Sequence, residues 1–459
     1  MQNQGENKMG VMPVGRLILN MSLPMILSML VQAMYNIVDS VYVSRVSEAA
    51  LTAVSLCFPA QNLMNGLATG TAVGVNALLS RALGAGDRER ASKVAENGVF
   101  LALVGYAVFL AFGLFGSRIY MATQTGKAEI VQMGVDYLTI VCCCSFGMFG
   151  QVMFERLMQS TGRTVYTMFT QGLGAAINIV LDPVFIFTLG MGVKGAAVAT
   201  VVGQIIAFIV AVVLNERRNP DVSLKLREFR PDGGLIGRIY AIGIPSAIMI
   251  GIGSVMTFLM NIILINYTTG REIAATVFGV YFKLSSFAFM PVFGLNNGVI
   301  PIIAYNYGAK NRRRMTQAIK VTGCYAMGFM LLGMALFLAV PDALLSLFDA
   351  SETMLAIGAP ALRIISVTFP VAAVCIVISG AFQGLGYGVY SMITSLARQL
   401  IVLVPSAYIL ARIGLQTGND NLVWLSYPIA EVASAAVTAL LFVRLYRKVI
   451  RHVPEGAAH

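Results

Sequence analysis

The sequence predicts an all-α polytopic membrane protein, with about twelve transmembrane helices in two pseudo-symmetric six-helix lobes. Three observations carry this. First, of 459 residues 57% are hydrophobic and only 12% charged, with a mean hydropathy of +0.78. An average soluble domain is about 25% charged, so the chain has too few charges to coat its surface in water. Second, apolar runs of about 20 residues, enough to cross a bilayer, recur along its length. Third, one short motif returns after 224 residues. The same composition excludes disorder, which needs low hydrophobicity and high charge.

The predicted spans are 15–43, 50–80, 97–117, 128–156, 165–189, 195–214, 239–268, 274–305, 315–340, 355–384, 387–411 and 422–446. Internal Gly and Pro are tolerable because neighbouring helices satisfy the freed backbone groups. Lys and Arg set the orientation. With the N-terminus inside, inner loops and helix ends hold 23 of them and the outer side 7, which predicts both termini in the cytoplasm. The same asymmetry explains the net charge of +11 without nucleic acid. The six Cys lie in apolar runs without zinc-finger spacing, so no metal or disulfide role is expected. Residues 1–14 are polar and lack a signal-peptide pattern, so the first apolar helix is expected to persist in the mature chain.

The repeat sets the domain organisation. Leu83 to Ala91 reads LGAGDRERA and Tyr307 to Met315 reads YGAKNRRRM. The same offset pairs Gly70 with Gly294, Gly74 with Gly298, Gln159 with Gln383 and Gly162 with Gly386. Leu23-Pro24 and Ile244-Pro245 match with a small slip. The expected division is an N-lobe (1–214), a cytoplasmic linker (215–238) and a C-lobe with its tail (239–459). Six spans per lobe is an even number, so the repeat is parallel, about an axis along the membrane normal. Two like bundles around such an axis leave a cleft, the geometry of an alternating-access transporter.

Intramembrane carboxylates cost about 2.5–3.5 kcal/mol each on insertion scales, and few are present. The first span carries Gln32, Asn36 and Asp39 at spacings that place them on one face. The fifth carries Asn178 and Asp182 one turn apart, just before Pro183. The sixth carries Thr200 and Gln204, again one turn apart. Two carboxylates with amide and hydroxyl oxygens suit a proton or a hard cation. Gln32, Asn36, Thr200 and Gln204 taken alone are better read as hydrogen-bonding glue between helices. For Asp39 and Asp182 the glue reading is weak. No Lys or Arg lies at mid-depth in the first, fifth or sixth span, and an unpaired buried Asp must be protonated or ion-bound. Asp136 and Glu155 lie nearer the ends of the fourth span. In the second half, Glu431 is expected to form a structural ion pair with Lys283 or Arg398. There is no GxxxxGKS/T, so no P-loop ATPase is encoded.

With these motifs in place, the chain resembles the multidrug and toxic compound extrusion (MATE) family, in its bacterial, MepA-like branch. The matching pieces are Leu23-Pro24, YNIVDSVYV (Tyr35 to Val43), LLSRALGAGDRERA (Leu78 to Ala91), Gln159-Ser-Thr-Gly162, NIVLDPVF (Asn178 to Phe185), GAAVATVVGQ (Gly195 to Gln204) and YNYGAKN (Tyr305 to Asn311). Their order and spacing cover nearly the whole chain. The resemblance implies a MATE/MOP-type fold and an N-lobe cation site at Asp39, Asn178, Asp182 and Thr200, with Tyr137 as a further neighbour. It also implies efflux of cationic amphipathic drugs driven by inward H+ or Na+. One departure stands out. NorM-like members also use acidic residues in spans seven, eight and ten, whereas 239–268, 274–305 and 355–384 contain no Asp or Glu. Coupling is therefore expected in the N-lobe.

The expectation is thus a secondary antiporter in a bacterial plasma membrane, working as a monomer. It would exchange small organic cations for H+ or Na+, with Gln32, Asn36, Tyr137 and Gln204 as substrate-facing or supporting groups. No cofactor, no metal beyond a Na+ at the Asp39 set, and no nucleic-acid partner are expected. The rival of the same superfamily is a lipid-linked sugar flippase, whose basic cavity would need more deep cations than Lys283 and Arg398. An enzyme is disfavoured because the two His, His452 and His459, both lie in the tail.

Overall fold

The computed structural model describes residues 7–225, 227, 229–348 and 350–455. His459 lies outside them. Among the described residues there is no strand. Twelve long helical segments follow one another. In the first half they are α1 (Val14–Ser44), α2 (Glu48–Gly84), α3 (Arg88–Gln124), α4 (Ala128–Cys143 and Phe146–Ser160), α5 (Thr164–Thr188) and α6 (Val193–Arg218). In the second half they are α7 (Gly233–Tyr267), α8 (Arg271–Gly308), α9 (Arg312–Ala339), α10 (Glu352–Ser366 and Phe369–Gly384), α11 (Gly388–Thr417) and α12 (Asp420–His452). α4 and α10 bend by 45° and 50° between their two pieces, at equivalent places in the two halves.

Nine of these segments are long and apolar enough to cross a bilayer, and eleven once each bent pair counts as one span. The twelfth, α2, has 37 residues but lines its buried faces with Ala, Gly, Ser, Thr and Asn. It packs between other helices, where small side chains let backbones approach. The outer surface is apolar instead: Leu63, Phe115, Ile119, Leu332, Val432 and Leu440 all stand exposed, a surface suited to lipid. Several helices run past the predicted limits because a 35-residue helix is about 52 Å long at 1.5 Å per residue, longer than the bilayer core.

The repeat persists in the hydrogen bonds. Asp87 caps Arg90 N and Asn311 caps Arg314 N, 224 residues on. Thr167 donates to the Glu155 carbonyl and Ser391 to that of Ser379. Gly86 and Lys310, at equivalent turns, both have positive φ (75° and 55°).

The lobes meet at the end that carries the termini. There Gly84 lies on the Tyr305 carbonyl and Gly308 on the Arg81 carbonyl, so that a Cβ at either position would collide with backbone. Arg81 stacks on the Tyr307 ring at 4.4 Å. Further in, Gly70 faces the Gly243 carbonyl, Gly74 the Ile239 carbonyl, and Gly298 faces Ser22.

Two helices cross the junction. Leu17, Ile18 and Met21 of α1 belong to the apolar core built mainly by α8–α12. Leu235 and Ile239 of α7 belong to the core built by α2–α6. The first halves of α1 and α7 are thus exchanged between lobes. Pro24 and Pro245 lie near where each helix returns to its own lobe.

In the second lobe the partner of Glu431 is Arg398, Nη1 to Oε2 3.7 Å, with the carboxylate side chain 9% exposed. Lys283 is not a partner: it is exposed and lies over the Phe348 ring. Arg156 is one of the helix-end cations of the inner side. A helix-end position predicts a solvated cation, yet its guanidinium is buried and donates to Gln159 Oε1 (3.0 Å) and, across the junction, to Asn297 Oδ1 (3.3 Å).

Two outcomes follow. Gly84→Ala and Gly308→Ala should each lower thermal stability by about 1–3 kcal/mol through overpacking, whereas Gly172→Ala, with open space around it, should be neutral or slightly stabilising; melting curves of the purified proteins check this. Glu431→Gln leaves Arg398 without its charge partner, so it should reduce folded yield and melting temperature more than ion-driven transport. Normal yield with lost coupling would give Glu431 a transport role instead.

Candidate cation site of the first lobe

The second half of α1 returns to its own lobe and packs on α5. One turn of each helix supplies a carboxylate, and the two carboxyl groups stand within hydrogen-bonding reach of each other. Asp182 is fully buried and Asp39 half-buried. Asn178 lies one turn before Asp182. Its amide fits its neighbours with the nitrogen donating to Asp182 Oδ2 (2.8 Å) and the oxygen accepting from the Thr200 hydroxyl (3.1 Å). The Tyr35 hydroxyl reaches Thr200 Oγ1 at 3.3 Å. Asp39, Asn178, Asp182 and Thr200 therefore form one cluster, from α1, α5 and α6.

α5 is shaped for this. Pro183 has no amide to complete the helical ladder, and the helix passes straight into a π-helical turn, Val184–Thr188. Such turns re-aim side chains at functional positions.

The electrostatics of the cluster differ from those of the other buried acids. Glu155 accepts from Gln151, Thr170 and Gln171 at 2.8–2.9 Å. Asp136 pairs with Lys194 at 3.2 Å. Asp39 and Asp182 have no salt bridge among the described residues, and Oδ1 of each is buried without a partner. Two adjacent carboxylates with unpartnered oxygens cannot both stay charged and bare in a medium of low polarity. They must share a proton or hold a cation. The donor set fits a small monovalent cation through Asp39 Oδ1, Asp182 Oδ1 and the Thr200 hydroxyl. The Asn178 amide would have to turn its oxygen inward to join them. Among the described residues no group of three or more His, Cys, Asp or Glu could hold a metal ion.

The remaining expected residues divide. Tyr137 is buried beside Asp39 and Tyr35, and its hydroxyl accepts from Gln61 Nε2 at 3.2 Å. Gln32 and Asn36 do not join the cluster; both are exposed. Gln204 is half-buried and, among the described residues, makes no side-chain hydrogen bond. Helical geometry explains the split. At about 100° per residue, Tyr35 lies about 40° to one side of Asp39 and Asn36 about 60° to the other. α5 and α6 cover the Tyr35 side. Gln32 shares the azimuth but sits two turns, about 10 Å, along the axis. Sequence reasoning missed Tyr35 and Gln61; the i,i+4 spacing of Tyr35 and Asp39 was the available signal.

Comparison with known proteins fits this architecture. The MatE family model matches the chain twice, over residues 24–184 and 245–409. Multidrug export protein MepA of Staphylococcus haemolyticus (strain JCSC1435) is 25% identical over 418 residues, 91% of this chain and 90% of that protein. MepA of Staphylococcus aureus (strain MRSA252) is 25% identical over 438 residues, 95% and 94% of the two chains. A crystal structure of a MATE protein in complex with MaL6 superposes with a TM-score of 0.90 at 27% identity, covering 98% of this chain and all of that one. An outward-facing multidrug resistance MATE transporter of the MOP superfamily gives 0.89 at 26% identity, with the same coverage. A MOP superfamily transporter from Pyrococcus furiosus, whose binding pocket of reversed polarity suggests a different function, gives 0.87 at 25% identity. Two matches to one family model, one in each half of a doubled fold, make the chain a member of the MATE family.

Proposed function

We propose that the protein is a secondary antiporter that exports cationic amphipathic compounds in exchange for H+ or Na+ bound at Asp39 and Asp182. The observation that carries this is the pair of adjacent carboxylates with unpartnered oxygens and, among the described residues, no cationic partner. A structural ion pair would have brought its own counter-charge. A site that carries two acids and no base is built to take a mobile cation. Transport follows if the ion and the drug favour opposite arrangements of the lobes. One singly charged ion moving inward through 100 mV yields about 2.3 kcal/mol, which offsets the equal cost of moving a singly charged drug outward, so in one-for-one exchange the ion's concentration gradient sets the drug gradient.

Charge supports a cationic substrate over an anionic one. The cluster is acidic, Arg398 is engaged by Glu431, and Arg156 is bound by Gln159 and Asn297. The multidrug export named for the staphylococcal relatives agrees with this reading. We place the protein in a bacterial plasma membrane as a monomer with both termini in the cytoplasm.

Dye efflux in inverted vesicles, with Na+ and pH gradients imposed separately, tests the exchange. One gradient alone should drive uphill efflux. Asp39→Asn and Asp182→Asn should each abolish it while leaving passive drug binding in place. Wild-type efflux rates in either variant would make the carboxylate structural. A second outcome concerns competition. A proton on the pair removes the negative charge that would hold Na+, so Na+ affinity of the purified protein should weaken as pH falls. An Na+ affinity independent of pH would contradict a shared site.

A further inference from the structure

We propose that residues 7–12 form a latch that holds the two lobes together at the end carrying the termini, and that transport requires this latch to open. The segment precedes α1 and folds into a single helical turn, Lys8–Val11, capped by the Asn7 side chain on Met9 N at 3.0 Å. Pro13 then caps the start of α1 at Val14.

This short hook bonds to both lobes. On one side Asn7 Nδ2 donates to the Thr161 carbonyl at 3.1 Å, in the turn between α4 and α5. On the other, Asn306 Nδ2 of α8 donates to the Met9 carbonyl at 3.2 Å. Arg314 Nη2 of α9 donates to the carbonyls of Met9 (3.2 Å) and Met12 (2.7 Å). The Met9 side chain is fully buried in the second lobe's core. Gly10 lies close to the Tyr305 ring, and Gly162 of the first lobe lies against Lys8 and Met9.

The linker supplies the contrast. After α6 the chain also packs along a neighbouring helix, with Ser223 N on Ser92, Lys225 N on Glu96 and Asp232 N on Asn97. Those three contacts all fall on α3, within one lobe. The end of α12 and the tail after it likewise dock on the α9 start, through Arg312 to Arg451 and Glu455. The hook is the terminal segment whose hydrogen bonds reach both lobes, and it continues into α1, which carries Asp39. Separating the lobes at this end must break either the Asn7–Thr161 contact or the set at Asn306 and Arg314. The latch rests on alternating access of the lobes and not on which ion or drug is carried.

The test uses the full chain in nanodiscs, with the six native cysteines replaced and spin labels at Arg90→Cys and Gln317→Cys, both exposed positions near this end. Pulsed dipolar spectroscopy reads the ratio of closed to open populations. Asn7→Ala and Asn306→Ala should each raise the open fraction about fivefold, the effect of losing one net hydrogen bond. Unchanged ratios in both variants, with wild-type melting behaviour, would overturn the latch. A locking arm covers the case in which Asn306→Ala fails to fold. Asn7→Cys with Thr161→Cys, once oxidised, should hold the closed state and stop dye efflux, and reductant should restore it. Continued efflux with the disulfide formed would overturn the proposal as well. Both outcomes are read whichever coupling ion is used, and remain distinct from failure of the Asp39–Asp182 reading.

Discussion

Two carboxylic acids set side by side without a base impose the constraint on which the rest of the structure turns. Charged and bare, they would repel each other and forfeit hydration that no protein group replaces. The cluster around them reduces that cost only in part. Asn178 satisfies one oxygen of Asp182, Thr200 bonds to Asn178 and Tyr35 to Thr200, leaving Oδ1 of both acids open. The fold keeps a focus of negative potential within an apolar bundle. The other buried acids have partners: three hydrogen-bond donors for Glu155, Lys194 for Asp136 and Arg398 for Glu431.

α1 gives that carboxyl pair mechanical reach. Its second half holds Tyr35 and Asp39 against α5 and α6, and its first half is part of the opposite lobe's core through Leu17, Ile18 and Met21. A change at Asp39 therefore bears on a rod anchored in both lobes. α7 mirrors the arrangement, with its first half on α2. The glycines of the junction make the exchange feasible, since only a hydrogen at Gly70, Gly74, Gly84 and Gly298 lets the helices cross at backbone contact. A ligand shifts such a two-state element only by its difference in affinity for the two states. On the antiport mechanism we propose, an ion that joins α1 to α5 supplies such a difference.

Much of this was legible in the sequence, for physical reasons. A bilayer permits few structures, so long apolar runs translate directly into helices. The turn at Gly84 and its copy at Gly308 need the same small residues, so the repeat survives in the letters. Asp39 and Asp182 were readable because a carboxylate in an apolar helix has few structural explanations, whereas Asn178 and Thr200 came in by helical spacing and the family resemblance. What was not legible depends on neighbours remote in sequence. The choice between Tyr35 and Asn36 as companion to Asp39 is decided by where α5 and α6 lie, which helical periodicity does not specify. Arg156 at a helix end reads as a solvated cation until Asn297 of the other lobe arrives beside it. Nothing in the apolar pattern of α1 tells its first half from its second, so the exchange of half-helices could not be foreseen.

The most direct test of the central claim is the number of protons released when a cationic drug binds to purified protein in weakly buffered, Na+-free solution. Without Na+ the pair must hold a proton, and a drug that favours the opposite lobe arrangement should expel it. The account predicts a release of about one proton per drug bound in the wild type, the quantity set by linkage, and none from Asp39→Asn or Asp182→Asn. Drug binding that releases no proton from the wild type, or releases the same number from both variants, would contradict it.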